Sequence, residues 1–151
     1  MIVVADSSPL IALINIGHTA VLPRLFGQVI IPPEISAELN VPTRPQAVRD
    51  FIVARPNWLL ERAPARLEPI PTLHPGEVAA IRLAQELKAD LLLIDELRGR
   101  KAAVDLDIAF TGTPTSGFRP NCLMSDSSTH RGTAGTIETW QQYGNIKHRK
   151  P

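Results

Sequence analysis

The chain has 151 residues, 44% of them hydrophobic and 21% charged, and a formal net charge of +1. That size and balance fit one globular domain with a proper core, and the absence of any long apolar stretch excludes a membrane span. A lone cysteine, Cys122, excludes an internal disulfide framework, and four scattered histidines show no zinc-ligand spacing, so a reducing cytoplasm is the expected compartment.

In chain order, Ile2–Ala5 is a bare apolar run, the habit of a strand buried on both faces in a parallel sheet. Asp6 stands at its end. Ser8-Pro9 behind it reads as a helix start, with Ser8 as N-cap and Pro9 at the first helical position. Helical patterns follow over Leu10–Ile16 and Thr19–Phe26, stopped by Gly17 and Gly27. Val29–Ile31 is a second strand, Pro33–Leu39 a short helix, Pro45–Ala54 another, and Trp58-Leu59-Leu60 a weaker strand candidate. Nine of the fourteen prolines fall between Pro32 and Pro75, which forbids long helices there.

Gly76–Ala89 is the clearest helix, with Ala80, Ile81, Ala84 and Leu87 forming an apolar stripe. Leu91–Ile94 is a further buried strand, closed by Asp95. Glu96–Leu106 is a helix with a basic start, and Ile108–Phe110 is the last apolar run. Strands alternating with helices predict an α/β fold: a parallel sheet flanked by helices, with right-handed crossovers. After Gly112 the only aliphatics of the Ile, Leu or Val type are Leu123, Ile137 and Ile146. The expected division is therefore a packed domain over 1–112 and a poorly packed or disordered tail over 113–151, where Trp140 and Tyr143 dock locally. The tail carries five Lys/Arg against Asp126 and Glu138, which leaves the body mildly acidic. An acidic body that handles an anionic substrate needs metal ions as intermediaries.

The acids are the chemistry-bearing residues. Asp6 and Asp95 both close buried strands, so a parallel sheet brings them to one rim, where open α/β sheets bind ligands. Glu77 lies three, four and seven residues before Ala80, Ile81 and Ala84, on the buried face, where a lone acid is expensive. Glu38, three residues after Ile35, lies on the inner edge of its short helix. Taken singly each has a structural reading. Asp6 serves as a cap beside Ser8, Glu77 as a complement to the helix dipole, Glu38 as a solvated helix residue like Glu34, and Asp95 as an ion-pair partner of Arg98. Taken together they form a carboxylate cluster that repels itself unless a cation neutralises it, and an all-oxygen set selects Mg²⁺ or Mn²⁺. Other carboxylate chemistries fit less well. A dehalogenase-type phosphatase needs a second Asp where Ser8 stands, and no phosphate-binding glycine loop, dinucleotide fingerprint or nucleophile elbow is present.

With these acids in order, the chain resembles the PIN-domain (PilT N-terminus) ribonucleases. The carrying segments are Val3-Val4-Ala5-Asp6-Ser7-Ser8-Pro9-Leu10-Ile11, Ile31-Pro32-Pro33-Glu34-Ile35-Ser36-Ala37-Glu38-Leu39, Gly76-Glu77-Val78-Ala79-Ala80-Ile81, and Leu92 through Ala103. The likeness spans residues 1–113 and is to the small prokaryotic branch of VapC-like toxins. It implies a three-layer α/β/α fold and Mg²⁺ or Mn²⁺ held by Asp6, Glu38, Glu77 and Asp95 as metal-binding and catalytic acids. Ser8 then orients water or phosphate, and Arg98, Arg100 and Lys101 are candidates for gripping the RNA backbone. The implied partners are an RNA substrate, a small antitoxin protein and a second copy of the chain. Two other readings are a decayed PIN fold that only binds partners, and a flap-like DNA nuclease. One departure stands out. Relatives continue past a segment like Ile108–Thr113 into a helix rich in Leu, Ala and Lys, whereas Thr113 here leads into Pro114-Thr115-Ser116-Gly117-Phe118-Arg119-Pro120. The expected cause is a reading-frame change near Thr113.

Overall fold

The alternation read from the sequence recurs in the computed structural model, which describes residues 1–112. Five strands, Val3–Ala5 (β1), Val29–Ile31 (β2), Leu59–Glu61 (β3), Leu91–Leu93 (β4) and Phe110–Thr111 (β5), alternate with helices. The helices are Ser7–Asn15 (α1), Val21–Phe26 (α2), Pro33–Leu39 (α3), Gln46–Ala54 (α4), Pro75–Leu87 (α5) and Leu97–Asp105 (α6). The expectations for 113–151, including the docking of Trp140 and Tyr143 and the frame change near Thr113, lie outside the described residues.

All pairings are parallel, and the strand order is β3-β2-β1-β4-β5. The central strand β1 is wholly buried, as an apolar run without alternation requires. Val3, Val4 and Ala5 stand opposite Leu91, Leu92 and Leu93 of β4, so the two strands end level. The sheet grows outward from β1 through β2 to β3, then crosses back to β4 and β5. The topological switch point is therefore the crevice between β1 and β4. The apolar stripe of α5 covers the sheet there: Ala80, Ile81 and Ala84 share one buried cluster with Val4, Leu92 and Ala103 of α6. On its other flank α5 packs on α3, which also meets α1. The helices flank the sheet in the expected three-layer α/β/α arrangement.

Several element boundaries differ from expectation. The N-cap of α1 is Asp6, not Ser8, because Asp6 has extended backbone (φ −81, ψ 169) and its carboxylate reaches the Ser8 N–H. Pro9 then falls in the first turn rather than at its first position, where its missing N–H is still harmless. The third strand is Leu59–Glu61, one residue later than Trp58–Leu60. The last strand starts at Phe110 because Asp107 turns the chain with φ 55, and the Ile108 N–H is drawn back to the Ala103 carbonyl at the end of α6.

Candidate active site

Asp6 is placed by two elements at once. Its N–H donates to the Leu93 carbonyl (2.9 Å), extending the β1–β4 ladder by one residue, and its Oδ2 accepts the Ser8 N–H (3.4 Å) to cap α1. The side chain is only 1% exposed, and Oδ1 is buried with no hydrogen-bond partner. Burial pushes the carboxyl up from 3.8 to about 6; the backbone N–H groups of Ser7 and Ser8 oppose the rise, and the charges of Glu38 and Glu77 add to it.

Glu77 repeats the arrangement on α5. At the third helical position it reaches back, and Oε2 accepts the His74 N–H (2.9 Å), one half of a capping box. Oε1 is buried without a partner, on a residue 6% exposed. Gly99 of α6 lies against it: a Cβ there would stand 3.4 Å from Glu77 Oε1. Two helix-capping acids thus each leave one oxygen unsatisfied. An orphaned buried carboxylate oxygen is costly, and it calls for an explanation such as a bound ion, an ordered water or a catalytic role.

Glu38 reaches the same place from α3. Its Oε1 accepts the Ser7 hydroxyl (3.0 Å) and the Arg44 guanidinium (2.6 Å), while Oε2 lies where a Cβ on Gly76 would come within 2.8 Å. A side chain at 76 would push the tips of Glu38 and Ile35 aside.

Asp6, Glu38, Glu77 and Ser8 line one pocket of about 510 Å³. Asp95 does not line it, nor do Arg98, Arg100 and Lys101. Asp95 pairs with Arg100 (3.3 Å), not with Arg98, and Arg100 Nε also donates to the Ile94 carbonyl (3.1 Å). Arg98 and Lys101 are exposed on α6. Three further titratable lining residues, Glu34, His74 and Glu96, were not among the expected site residues. Glu34 reads as solvated from its first-turn position, yet its Oε2 is buried without a partner. Glu96 carries a signal only as the neighbour of Asp95. Arg44, in the connection between α3 and α4, carries none.

Among the described residues, no three His, Cys, Asp or Glu side chains are gathered into a ready metal cage. The Ser7 hydroxyl and Arg44 hold Glu38 in place. The donor set still fits a hard cation of the Mg²⁺ type, which is commonly held by one or two carboxylates and keeps its other positions for water and phosphate.

A family model described as PIN domain matches residues 2–114. The chain belongs to the PIN-domain family. PIN domains are as a group nucleases, so a nucleic-acid hydrolase is the coarse activity that membership carries. The fold is also that of a PilT N-terminus domain protein, SSO1118, from the hyperthermophilic archaeon Sulfolobus solfataricus P2. That structure aligns with a TM-score of 0.50 at 17% identity, over 86% of this chain and 100% of the other. No curated protein matches the sequence. Among the described residues no helix of this PIN domain is long and apolar enough to cross a membrane.

Proposed function

We propose that this PIN domain is a divalent-metal-dependent endoribonuclease, the toxin of a cytoplasmic toxin–antitoxin pair restrained by a small antitoxin protein. The observation that carries the nuclease reading is the pair of unsatisfied buried oxygens, Asp6 Oδ1 and Glu77 Oε1, in one acidic pocket at the switch point of the sheet. The toxin role rests on the likeness of the acid-bearing segments to the VapC-like branch, as does assembly with a second copy.

Asp6, Glu38 and Glu77 would hold Mg²⁺ or Mn²⁺. When bound, such an ion supplies Lewis acidity toward a phosphate oxygen and lets an anionic strand approach an acidic pocket. The protein's own residues do the rest. The Ser7 hydroxyl and Arg44 hold the Glu38 carboxylate in place, and the cap hydrogen bonds fix the Asp6 and Glu77 rotamers. Ser8, on the pocket wall at the start of α1, faces the phosphate or attacking water. Arg98 and Lys101 grip the flanking RNA backbone by charge.

Cleavage of single-stranded RNA across an Mg²⁺ and Mn²⁺ titration, wild type beside Asp6→Asn, tests the reading. RNA should be cut only when the cation is present, and Asp6→Asn should lower the rate by more than about 100-fold, beyond what loss of a supporting residue causes. Parallel arms with duplex and flap DNA decide the substrate class; preference for the flap replaces RNA with DNA. Retained RNA binding without cleavage in any condition replaces the enzyme with a binding protein. A small reading frame immediately upstream tests the antitoxin. An alternative frame encoding a Leu-, Ala- and Lys-rich helix after Thr113 in the coding DNA tests the frame change.

A further inference from the structure

We propose that Glu96, not Asp95, completes the acid set of this pocket, and that Asp95 instead braces α6 through Arg100. The assignment rests on the metal-dependent reading of the pocket and deepens it. It turns on where two adjacent carboxylates point.

The chain leaves β4 still bonded to its outer neighbour, with the Ile94 N–H donating to the Thr111 carbonyl at 2.9 Å. Asp95 comes next, and its carboxylate keeps to that side. A Cβ placed on Gly112, just past β5, would stand 2.5 Å from both Asp95 Oδ1 and Arg100 Nη2. In the strand order, β5 lies across β4 from β1, whose end carries Asp6. Asp95 thus does not line the pocket that holds Asp6 and sits beside the end of the outer strand β5. There Arg100 joins it to the Ile94 carbonyl, so the acid, the end of β4 and the first turns of α6 form one knot.

Glu96 follows in extended backbone (φ −68, ψ 131), and successive side chains of extended chain point opposite ways. It lines the pocket with Asp6 and Glu77. It is the N-cap residue of α6, yet its carboxylate makes no cap hydrogen bond. Gly99 brings the start of that helix against Glu77 Oε1. The same pocket holds the observation that points to a ligand: Asp6 Oδ1 and Glu77 Oε1, on residues 1% and 6% exposed, have no partner. Two buried, capped carboxylates that share a pocket with a long exposed one give a site with two fixed donors and one that follows the ion and its phosphate ligand.

Mn²⁺ binding to the full chain, read by electron paramagnetic resonance of the free ion with no RNA present, separates the two acids. Glu96→Gln and Asp6→Asn should each weaken Mn²⁺ by about tenfold or more. Asp95→Asn should leave affinity within about twofold while lowering the melting temperature of the metal-free protein. The double variant Asp95→Asn/Arg100→Gln, which removes both charges of the brace together, should also keep affinity within about twofold. Equal loss in Glu96→Gln and Asp95→Asn, loss only in Asp95→Asn, or no Mn²⁺ binding by the wild type overturns the assignment. RNA cleavage is scored separately. Cleavage that survives Glu96→Gln but not Asp95→Asn removes the assignment and leaves the nuclease reading. The proposed binding order without any cleavage removes the nuclease reading and leaves the assignment.

Discussion

The four acids that the sequence groups together divide in the structure into two pairs held by different means. Asp6 and Glu77 are buried and fixed by backbone N–H groups, each capping a helix with one oxygen and leaving the other unsatisfied. Glu38 and Asp95 lie further out, and each is met by an arginine of the same chain. A backbone cap orients a carboxylate without cancelling its charge, whereas an arginine does both. The inner pair therefore keeps its appetite for a cation, and the outer pair is largely satisfied by the fold.

The contrast is sharpest for Asp6. With a pKa of about 6 in the folded chain against 3.8 in the unfolded one, folded Asp6 keeps its proton while the unfolded chain loses it. Its contribution to stability is thus present in full below pH 4, falls as pH rises toward 6, and is flat above. The span is about 3 kcal/mol. Asp6→Asn keeps a capping side chain but does not titrate. Urea denaturation in a chelator should show the variant gaining on wild type by that amount between pH 4 and 6. A difference that does not change with pH would mean that the caps, not burial, govern the inner pair.

A smaller effect is expected from Gly99→Ala, whose methyl would collide with the buried Ile94 side chain and crowd Glu77. Overpacking of this kind costs about 2 kcal/mol, read as a lower melting temperature. An unchanged melt would show that α6 does not press on the inner pair. The outer pair should be weaker still. Arg100→Ala removes a guanidinium that bridges a carboxylate and a backbone carbonyl and should cost about 1.5 kcal/mol in chemical denaturation. Arg44→Ala, at a more exposed pair, should cost less than about 1 kcal/mol. The reverse order would mean that the brace at Asp95 is not structural.

The fold was legible where the information is local. Val3-Val4-Ala5 and Leu91-Leu92-Leu93 have no polar residue that tolerates only one buried face, so a parallel strand was the reading left for each. The stripe on α5 put Glu77 inward by spacing alone. What the sequence concealed depends on pairing between distant segments. Asp95 meets Arg100 beside the end of β5 while Glu96 lines the pocket, and nothing in the Ile94-Asp95-Glu96 string announces that division. Arg44 meets Glu38 because a proline-flanked connection folds back on α3, and no periodicity announces that. The N-cap of α1 was misplaced for a simpler reason: Asp6 and Ser8 are both good caps, and only the extended backbone at Asp6 selects between them.

The double use of Asp6 and Glu77 also bears on entropy. A free aspartate or glutamate samples several rotamers in solution, and arresting it around an ion lowers the affinity of any site assembled on demand. Here the arrest happens earlier, when α1 and α5 form, because the same hydrogen bonds that start those helices fix the two side chains. An incoming cation meets carboxylates whose freedom was already lost on folding, so loading depends on charge and desolvation, with little left to order.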